Sequence, residues 1–427
     1  MNRKLMILGG NPETKRMVEK ANSLGIYTIV VDPNPNSPAK KSAASSYDID
    51  GFDVTKIVNL AKKLSVDGVL VGVADILVKP YQEICHRLEM PCYANKASAR
   101  YLTDKEQFVS ICKEFKIGVT PTFEIDSDML NSDIKKIIKL PVLVKPIDSG
   151  GGLGMTVCKT LDDLSIAIDL AINNSKKGKF LVERYMECDD LLAYYNFSYG
   201  KSYLAAIADR YTSKKQSQGS PVCIGAVYPS KHLANFIRDV HPKLLEMFSA
   251  LDIDNGVLNI QFFSDENKFF AYDPGFRLQG EAPHVYLNNI FNIDNVEMLI
   301  NFSLSSARES NQHYDKMSDF KGNCACTMWI LLNAGEIKSI KGIDTIKKNK
   351  SVIKILQRVY EGDKISEDMI GTERQVFARI YIVCKNFYEL SEAVEFVNNS
   401  LEIINTNNEG MILDVIDHDI IKNNYLN

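Results

Sequence analysis

Three short stretches of this chain carry residue types suited to phosphate chemistry. In Leu140–Gly154, LPVLVKPIDSGGGLG, an apolar run ends at Lys145 and a glycine-rich turn follows. Glycines let the backbone come close to an anion and turn several N–H groups toward it, and the lysine adds a movable positive charge. The order is not that of a P-loop, because the lysine precedes the glycines. A hairpin loop that simply needs left-handed backbone angles is the competing reading. In Phe180–Asp190, FLVERYMECDD, a strand ends at Glu183 and two acids follow at Asp189 and Asp190. Such a linker can offer N–H and C=O groups to an adenine edge, or it is a solvated acidic turn. In Val257–Gly280, VLNIQFFSDENKFFAYDPGFRLQG, two strands flank a turn at Ser264–Asn267. Alternation puts Asn259, Gln261 and Phe263 on one face. Gln261 then reads either as an oxygen ligand or as the solvated side of an edge strand. With Asp273 it would give one oxygen ligand per strand, enough to grip a magnesium ion. Arg277 lies four residues on, where a guanidinium can neutralise charge on a transferred phosphoryl group.

These stretches need a scaffold, and its first part is legible in residues 1–95. Lys4–Leu8, Ile26–Val31 and Val69–Val71 read as short apolar strands, and helical spacing marks Met17, Val18, Ala21 and Leu24, then Ile57, Val58, Leu60, Ala61 and Leu64. Strands alternating with helices imply a parallel sheet. Gly9-Gly10-Asn11-Pro12 is not the dinucleotide fingerprint, so this unit is read as a domain whose strand ends border a cleft rather than as a NAD or FAD site. Residues 96–116 are read as helical. Phe123–Ile125, Val142–Lys145, Met155–Cys158 and Phe180–Val182 are read as strands, with helices near Ile134–Lys139 and over Leu161–Asn173. Tyr199–Asp209, Gly256–Phe263 and Lys268–Tyr272 read as strands of a second, antiparallel unit. Ser303–Lys321 reads as a polar connection. The tail combines strands at Thr327–Leu332 and Gln375–Val383 with an amphipathic helix, Tyr388–Leu401.

Composition narrows the class. With 427 residues, 45% hydrophobic and 24% charged, the chain has core enough for two to four units. Fifty basic residues against 54 acidic ones, a net charge of −4, give no footprint for nucleic acid or an anionic membrane. Nine scattered cysteines lack zinc spacing and fit reduced thiols. The apolar run Leu5–Leu8 is too short for a signal core or a membrane span. A cytoplasmic location is therefore the expectation.

Taken in order, Lys105 in TDKEQF, Lys145 before the glycines, VERYMECDD and then QFF…FAYDPGFR resemble the ATP-grasp superfamily, including carbamoyl-phosphate synthase large chain, biotin carboxylase and ATP-dependent carboxylate–amine ligases. The resemblance spans the whole chain, because LLNAGEIKSIKGID is similar to those enzymes' small closing domain. It implies an α/β (α+β) fold in three parts. These are a parallel-sheet pre-ATP-grasp domain at 1–97, a two-lobed ATP-grasp domain at 98–310 with a lid at about 117–184, and an α+β closing domain at 311–427. The resemblance further implies that Lys105 and Lys145 contact ATP phosphates, and that Ser149–Gly154, including Gly151 and Gly152, form a lid loop. It puts Glu183 at the adenine amino group, the backbone of Arg184 and Met186 at the ring edge, and Asp190 or Asp189 at the ribose. Gln261 and Asp273 match the metal ligands, and Arg277 matches the arginine of E-x-N-x-R. The ligand asparagine of that motif is Gly275 here, which leaves a full two-magnesium site open.

The implied cofactors are ATP and Mg2+, and the implied reaction joins a small carboxylate to an amine through an acyl phosphate. Arg210 is expected to contact a substrate anion, or else to sit in a surface ion pair with Asp209 or Glu281. His284 is expected to pack at a helix start. Two alternatives accompany this reading: a bicarbonate-activating carboxylase or carbamoyl-phosphate-type enzyme, and a non-catalytic ATP-binding protein. Related enzymes are often dimers, so a homodimer is an expected assembly.

Overall fold

The computed structural model describes residues 3–123, 138–147, 154–175, 177–215, 222–304 and 317–426. The first unit is a parallel sheet in the order β3-β2-β1-β4, formed by β1 (Lys4–Leu8), β2 (Tyr27–Val31), β3 (Ser45–Tyr47) and β4 (Gly68–Val71). Leu5–Leu8, Ile29–Val31 and Val69–Val71 of its central strands are buried and apolar, as a sheet covered on both faces requires. Helix α1 (Pro12–Ser23) follows β1 directly. Asn11 caps it by accepting from Thr14 N–H, Pro12 fits the first turn, and Met17, Val18 and Ala21 are buried. Each such buried Met or Val contributes about 1.5–3 kcal/mol relative to exposure. The chain therefore returns every strand end, and the loops after β1 and β4, to one edge of the sheet.

A second, four-stranded sheet in the order β5-β8-β6-β7 contains β5 (Thr122–Phe123), β6 (Val142–Pro146), β7 (Thr156–Cys158) and β8 (Phe180–Arg184). The helix Asp162–Asn173 covers it with Leu164, Ala167, Ile168 and Ala171. Of the predicted helix near Ile134–Lys139 only Ile138 and Lys139 are described, and they are not helical; most of the glycine loop, including Ser149, Gly151 and Gly152, lies outside the described residues.

The third sheet is the largest, with nine strands. It contains β9 (Asp189–Ser198), β10 (Lys201–Thr212), β11 (Cys223–Tyr228), β12 (Gly256–Asp265), β13 (Lys268–Gly275) and β14 (Cys324–Leu332). Val352–Gln357, Val376–Cys384 and Ile412–Asp414 extend it, so strands from both sides of the expected boundary between the second and third domains share one sheet through the pairing of β11 with β14. Here the sequence reading needs correction. Tyr199 belongs not to a strand but to a hairpin turn, where Tyr199 and Gly200 have φ of 50° and 74°. Both residues are left-handed, as the tight turns that match strand twist demand. The ten residues before it form β9, the strand between β12 and β10. The Lys268–Tyr272 strand also reaches further, to Gly275.

Candidate active site

The β12–β13 hairpin holds the densest set of functional side chains. Its turn is made by Glu266 and Asn267, with φ of 49° and 62°. The ladder then places Gln261 directly opposite Asp273 and Asn259 opposite Gly275. An amide oxygen and a carboxylate from facing strands are hard donors of the kind magnesium takes. Lys105 reaches the same point from another element: its Nζ is 3.5 Å from Asp273 Oδ1. It stands at the first turn of the helix Lys105–Glu114, which Asp104 caps through Gln107 N–H and Phe108 anchors in the core. Arg277, just past β13, is held by the first unit. Its Nη2 lies 2.5 Å from Asp75 Oδ2, and Asp75 follows β4. Arg277 Nε is buried with no hydrogen-bond partner, so one donor of the fork stays uncommitted.

The second sheet supplies Lys145 and Glu183. β6 and β8 are antiparallel, with Leu143 opposite Glu183 and Lys145 opposite Leu181, so the two side chains share a face. Lys145 Nζ lies 2.5 Å from Glu183 Oε2, and the two side chains are only 16% and 11% exposed. Arg184 leaves this sheet to pair with Asp265 at the end of β12, at 2.9 Å, tying the second sheet to the third. Met186 is buried. Gly154 closes the glycine loop with φ of 73°. A Cβ there would fall 2.7 Å from Asn174 Cβ and 2.9 Å from Pro146 Cγ, so the position suits only glycine.

Asp190 and Arg210 form a closed buried group. Arg210 Nη1 donates to Asp190 Oδ2 at 2.7 Å and Nη2 donates to Glu281 Oε1 at 2.8 Å. Tyr272 OH donates to Asp190 Oδ1 at 2.8 Å, and the Tyr272 ring stacks on Phe263 at 4.3 Å. The Arg210 pair is thus with Asp190 and Glu281 and is buried. The surface pairing with Asp209 is corrected, because Asp209 is turned to Ser230 at 2.6 Å and to the backbone of Lys231. Asp189 pairs with His232 and Lys231 at 2.8 and 3.0 Å. One guanidinium faces two carboxylates, and burial pushes the Asp190 carboxyl up to about 6 against the opposing pull of Arg210 and Tyr272. Burial also works against the Arg210 charge, but Asp190 and Glu281 hold it protonated.

A raised carboxyl pKa means that the folded chain binds more protons than the unfolded one between about pH 4 and 6. Stability is therefore lost as pH rises through that window. Asp190→Asn should thus gain melting temperature relative to the parent as pH rises from 5 to 7. A temperature difference that stays flat across this range would contradict the assignment.

Several residues of the cleft were not singled out from sequence. Asp75 was one, although its place after β4, at the carboxyl edge of a parallel sheet, is where such folds gather function. Glu13 at the start of α1 meets Arg358 and Arg379, the latter at 3.3 Å. Burial alone would raise the Glu13 carboxyl, but the two arginines outweigh it and hold it below the usual range. Arg379 is wholly buried in the strand Val376–Cys384, lies 4.2 Å over the Trp329 ring and donates to Gly280 O. A lone arginine in VFARIYIVC was the available signal. His284 starts a helix, and burial lowers its pKa to about 4, so it is neutral at pH 7.

Residues 104–279 match the protein family described as carbamoyl-phosphate synthase L chain, ATP binding domain. Over these residues the chain matches an ATP-grasp domain. The matched segment includes Lys105, Lys145, Glu183, Gln261, Asp273 and Arg277. Among sequence relatives, the chain is 27% identical over 214 residues to formate-dependent phosphoribosylglycinamide formyltransferase of Bacillus velezensis, covering 48% of this chain and 54% of that one. It is 32% identical over 197 residues to the protein of the same name from Francisella tularensis, covering 44% and 49%. The chain thus matches about half the length of these curated relatives. Among solved structures, phosphoribosylglycinamide synthetase from Anaerococcus prevotii is similar with a TM-score of 0.74 at 18% identity, covering 95% of this chain and all of that one. L-amino acid ligase from Bacillus licheniformis gives 0.75 at 16% identity, covering 95% and 99%. Biotin carboxylase from Campylobacter jejuni gives 0.74 at 16%, covering 100% and 97%. The similarity therefore extends through the whole fold. Among the described residues, no helix is long and apolar enough to cross a membrane.

Proposed function

We propose that this chain is an ATP- and magnesium-dependent ligase that activates a small carboxylate as an acyl phosphate and passes the acyl group to an amine. The observation that supports this best is the Gln261–Asp273 pair with Lys105 beside it, on a hairpin whose next residues deliver Arg277 to the first unit. Phosphate-binding and acceptor-binding groups then meet in one cleft. In this reading residues 1–97 border the acceptor, 98–310 hold the nucleotide and 311–427 close the cleft. The oxygens of Gln261 and Asp273 fit magnesium, which supplies charge neutralisation at the phosphates when bound.

The chain's own residues divide the remaining work. Lys105 and Lys145 take the phosphate charge. Glu183 and the backbone of Arg184 and Met186 meet adenine, and Asp190, already gripped by Tyr272 and Arg210, borders the ribose. The Ser149–Gly154 loop, with Gly151, Gly152 and Gly154, covers the phosphates and excludes water from a hydrolysable intermediate. Arg277 orients the carboxylate and stabilises the phosphoryl group in flight, with Asp75 fixing its fork. Arg210 acts on the substrate side by holding Glu281 in place. A cytoplasmic enzyme, alone or as a homodimer, suits this chemistry.

Two measurements test the proposal. The first is phosphate release from ATP, screened with acids, amines and their pairs. Formate belongs in the screen because of the relatives' name, and bicarbonate because of the biotin carboxylase fold. Release that needs both an acid and an amine supports the ligase, and release with bicarbonate alone supports a carboxylase. ATP binding without release under any pairing would replace both with a non-catalytic nucleotide-binding role. The second is ATP affinity of Lys145→Ala. A charge-assisted contact to phosphate is worth about 1.5–3 kcal/mol, so affinity should fall by about tenfold or more. Glu183, left unpaired, adds repulsion in the same direction. Unchanged affinity by titration calorimetry would remove β6 from the site.

A further inference from the structure

The oxygen set on the β12–β13 hairpin has a gap at position 275. The ladder pairs Asn259 with Gly275 and Gln261 with Asp273, so these four positions form a square on one face of the sheet. Three of them carry side-chain oxygens and Gly275 carries none. The space is nonetheless filled. A Cβ at 275 would fall 2.7 Å from Asn259 Nδ2, 3.0 Å from Asn259 Oδ1 and 3.1 Å from Asp75 Oδ1. The Asn259 amide has a defined sense, because Nδ2 donates to Gly275 O at 2.9 Å. A carbonyl only accepts, so the NH2 must face it and Oδ1 must turn away. Asn259 is 4% exposed, and Asp75 Oδ1 is buried without a hydrogen-bond partner. Asn259 Oδ1 and the unpartnered Asp75 Oδ1, from distant parts of the chain, thus both border the side of Gly275 where a side chain would stand. A buried acceptor with no donor, as Asp75 Oδ1 is, is costly unless a cation or its bound water satisfies it.

We propose that Asn259 Oδ1 supplies, from across the ladder, the amide-oxygen ligand that position 275 lacks, with Asp75 Oδ1 bordering the same side of Gly275. This rests on the reading of the cleft as a magnesium–nucleotide site. It carries a consequence that runs against simple restoration of the motif: Gly275→Asn introduces a side chain where the Asn259 amide already sits. The substitution becomes productive only when Asn259 is removed as well.

The test is ADP affinity of the full chain by titration calorimetry, with and without Mg2+, for the parent, Asn259→Ala, Gly275→Asn and the double variant. Mn2+ bound to the ADP complex, followed by its paramagnetic resonance, gives an independent readout. Mg2+ should strengthen ADP binding to the parent. Asn259→Ala should lose about tenfold of that gain, the scale on which metal-site residues act, while its metal-free ADP affinity is retained. Gly275→Asn alone should also lose it, the double variant should recover most of it, and Asn259→Asp should keep it. If Asn259→Ala does not fold, Asn259→Ser, whose oxygen cannot reach the same point, carries the same expectation. A full Mg2+ gain in Asn259→Ala, an equal loss with and without Mg2+, or no recovery in the double variant would each overturn the assignment. An ADP affinity indifferent to Mg2+ in the parent would overturn it too while leaving the nucleotide site standing. A parent that binds no ADP would refute the underlying reading of the cleft as well.

Discussion

Replacing Arg277 with alanine is expected to lower turnover by about 10²–10³-fold, the scale on which preorganised charge stabilisation acts, and to leave ATP affinity nearly unchanged. The reason lies in how Arg277 is held. One end of its fork is fixed by Asp75 at 2.5 Å and another N–H donates to Leu278 O at 3.1 Å, while Nε has no partner. A guanidinium fixed in this way loses little entropy when it meets a transferring phosphoryl group. Its partners among the described residues are Asp75 and Leu278 rather than Lys145 or Glu183, so nucleotide binding should depend on it little. Removal leaves Asp75 unpaired, but that carboxylate is 42% exposed and water can satisfy it. Steady-state kinetics beside ATP titration separates the two effects. A variant that loses ATP affinity and keeps turnover would reassign Arg277 to the nucleotide.

Arg210→Met should act on the fold instead. Its guanidinium stands between Asp190 and Glu281, with all three side chains at most 16% exposed. Removing one partner from such a buried group costs on the order of 3–5 kcal/mol, because the remaining carboxylates stay desolvated and repel each other. The loss should shrink at pH 5, where Asp190, pushed up to about 6 by burial, takes a proton and removes one of the two charges. Thermal unfolding at pH 5 and 7.5 measures both parts. A loss below about 1 kcal/mol, the worth of an exposed pair, would contradict the buried arrangement.

The same two arginines show how far sequence reasoning reached. Arg277 was legible because its spacing from Asp273 is local and a hairpin carries both. Period-two alternation put Asn259 and Gln261 on one face, and the ladder sets Asp273, the ligand expected from the second strand, opposite Gln261. Lys145 was legible because an apolar strand ends at a glycine run. Arg210 was legible only in part: Glu281 was among its expected partners, but the pairing with Asp190 and the burial of the group were not foreseen. Strand β9 was missed. Its opening acids look like turn residues until Arg210, Tyr272, His232 and Lys231 are brought to them. Gly275 was visible as a departure, but what fills its space belongs to the facing strand and to the loop after β4, and no local pattern records either.

The central claim is that a carboxylate oxygen attacks the γ-phosphoryl group of ATP in this cleft. The most direct measurement uses the acid that supports phosphate release, labelled with 18O in its carboxylate, and follows the label by mass spectrometry. Attack of the carboxylate oxygen, followed by displacement by the amine, predicts ADP and inorganic phosphate that carries one 18O atom from the acid. Unlabelled phosphate, or AMP and pyrophosphate in place of ADP, would contradict it.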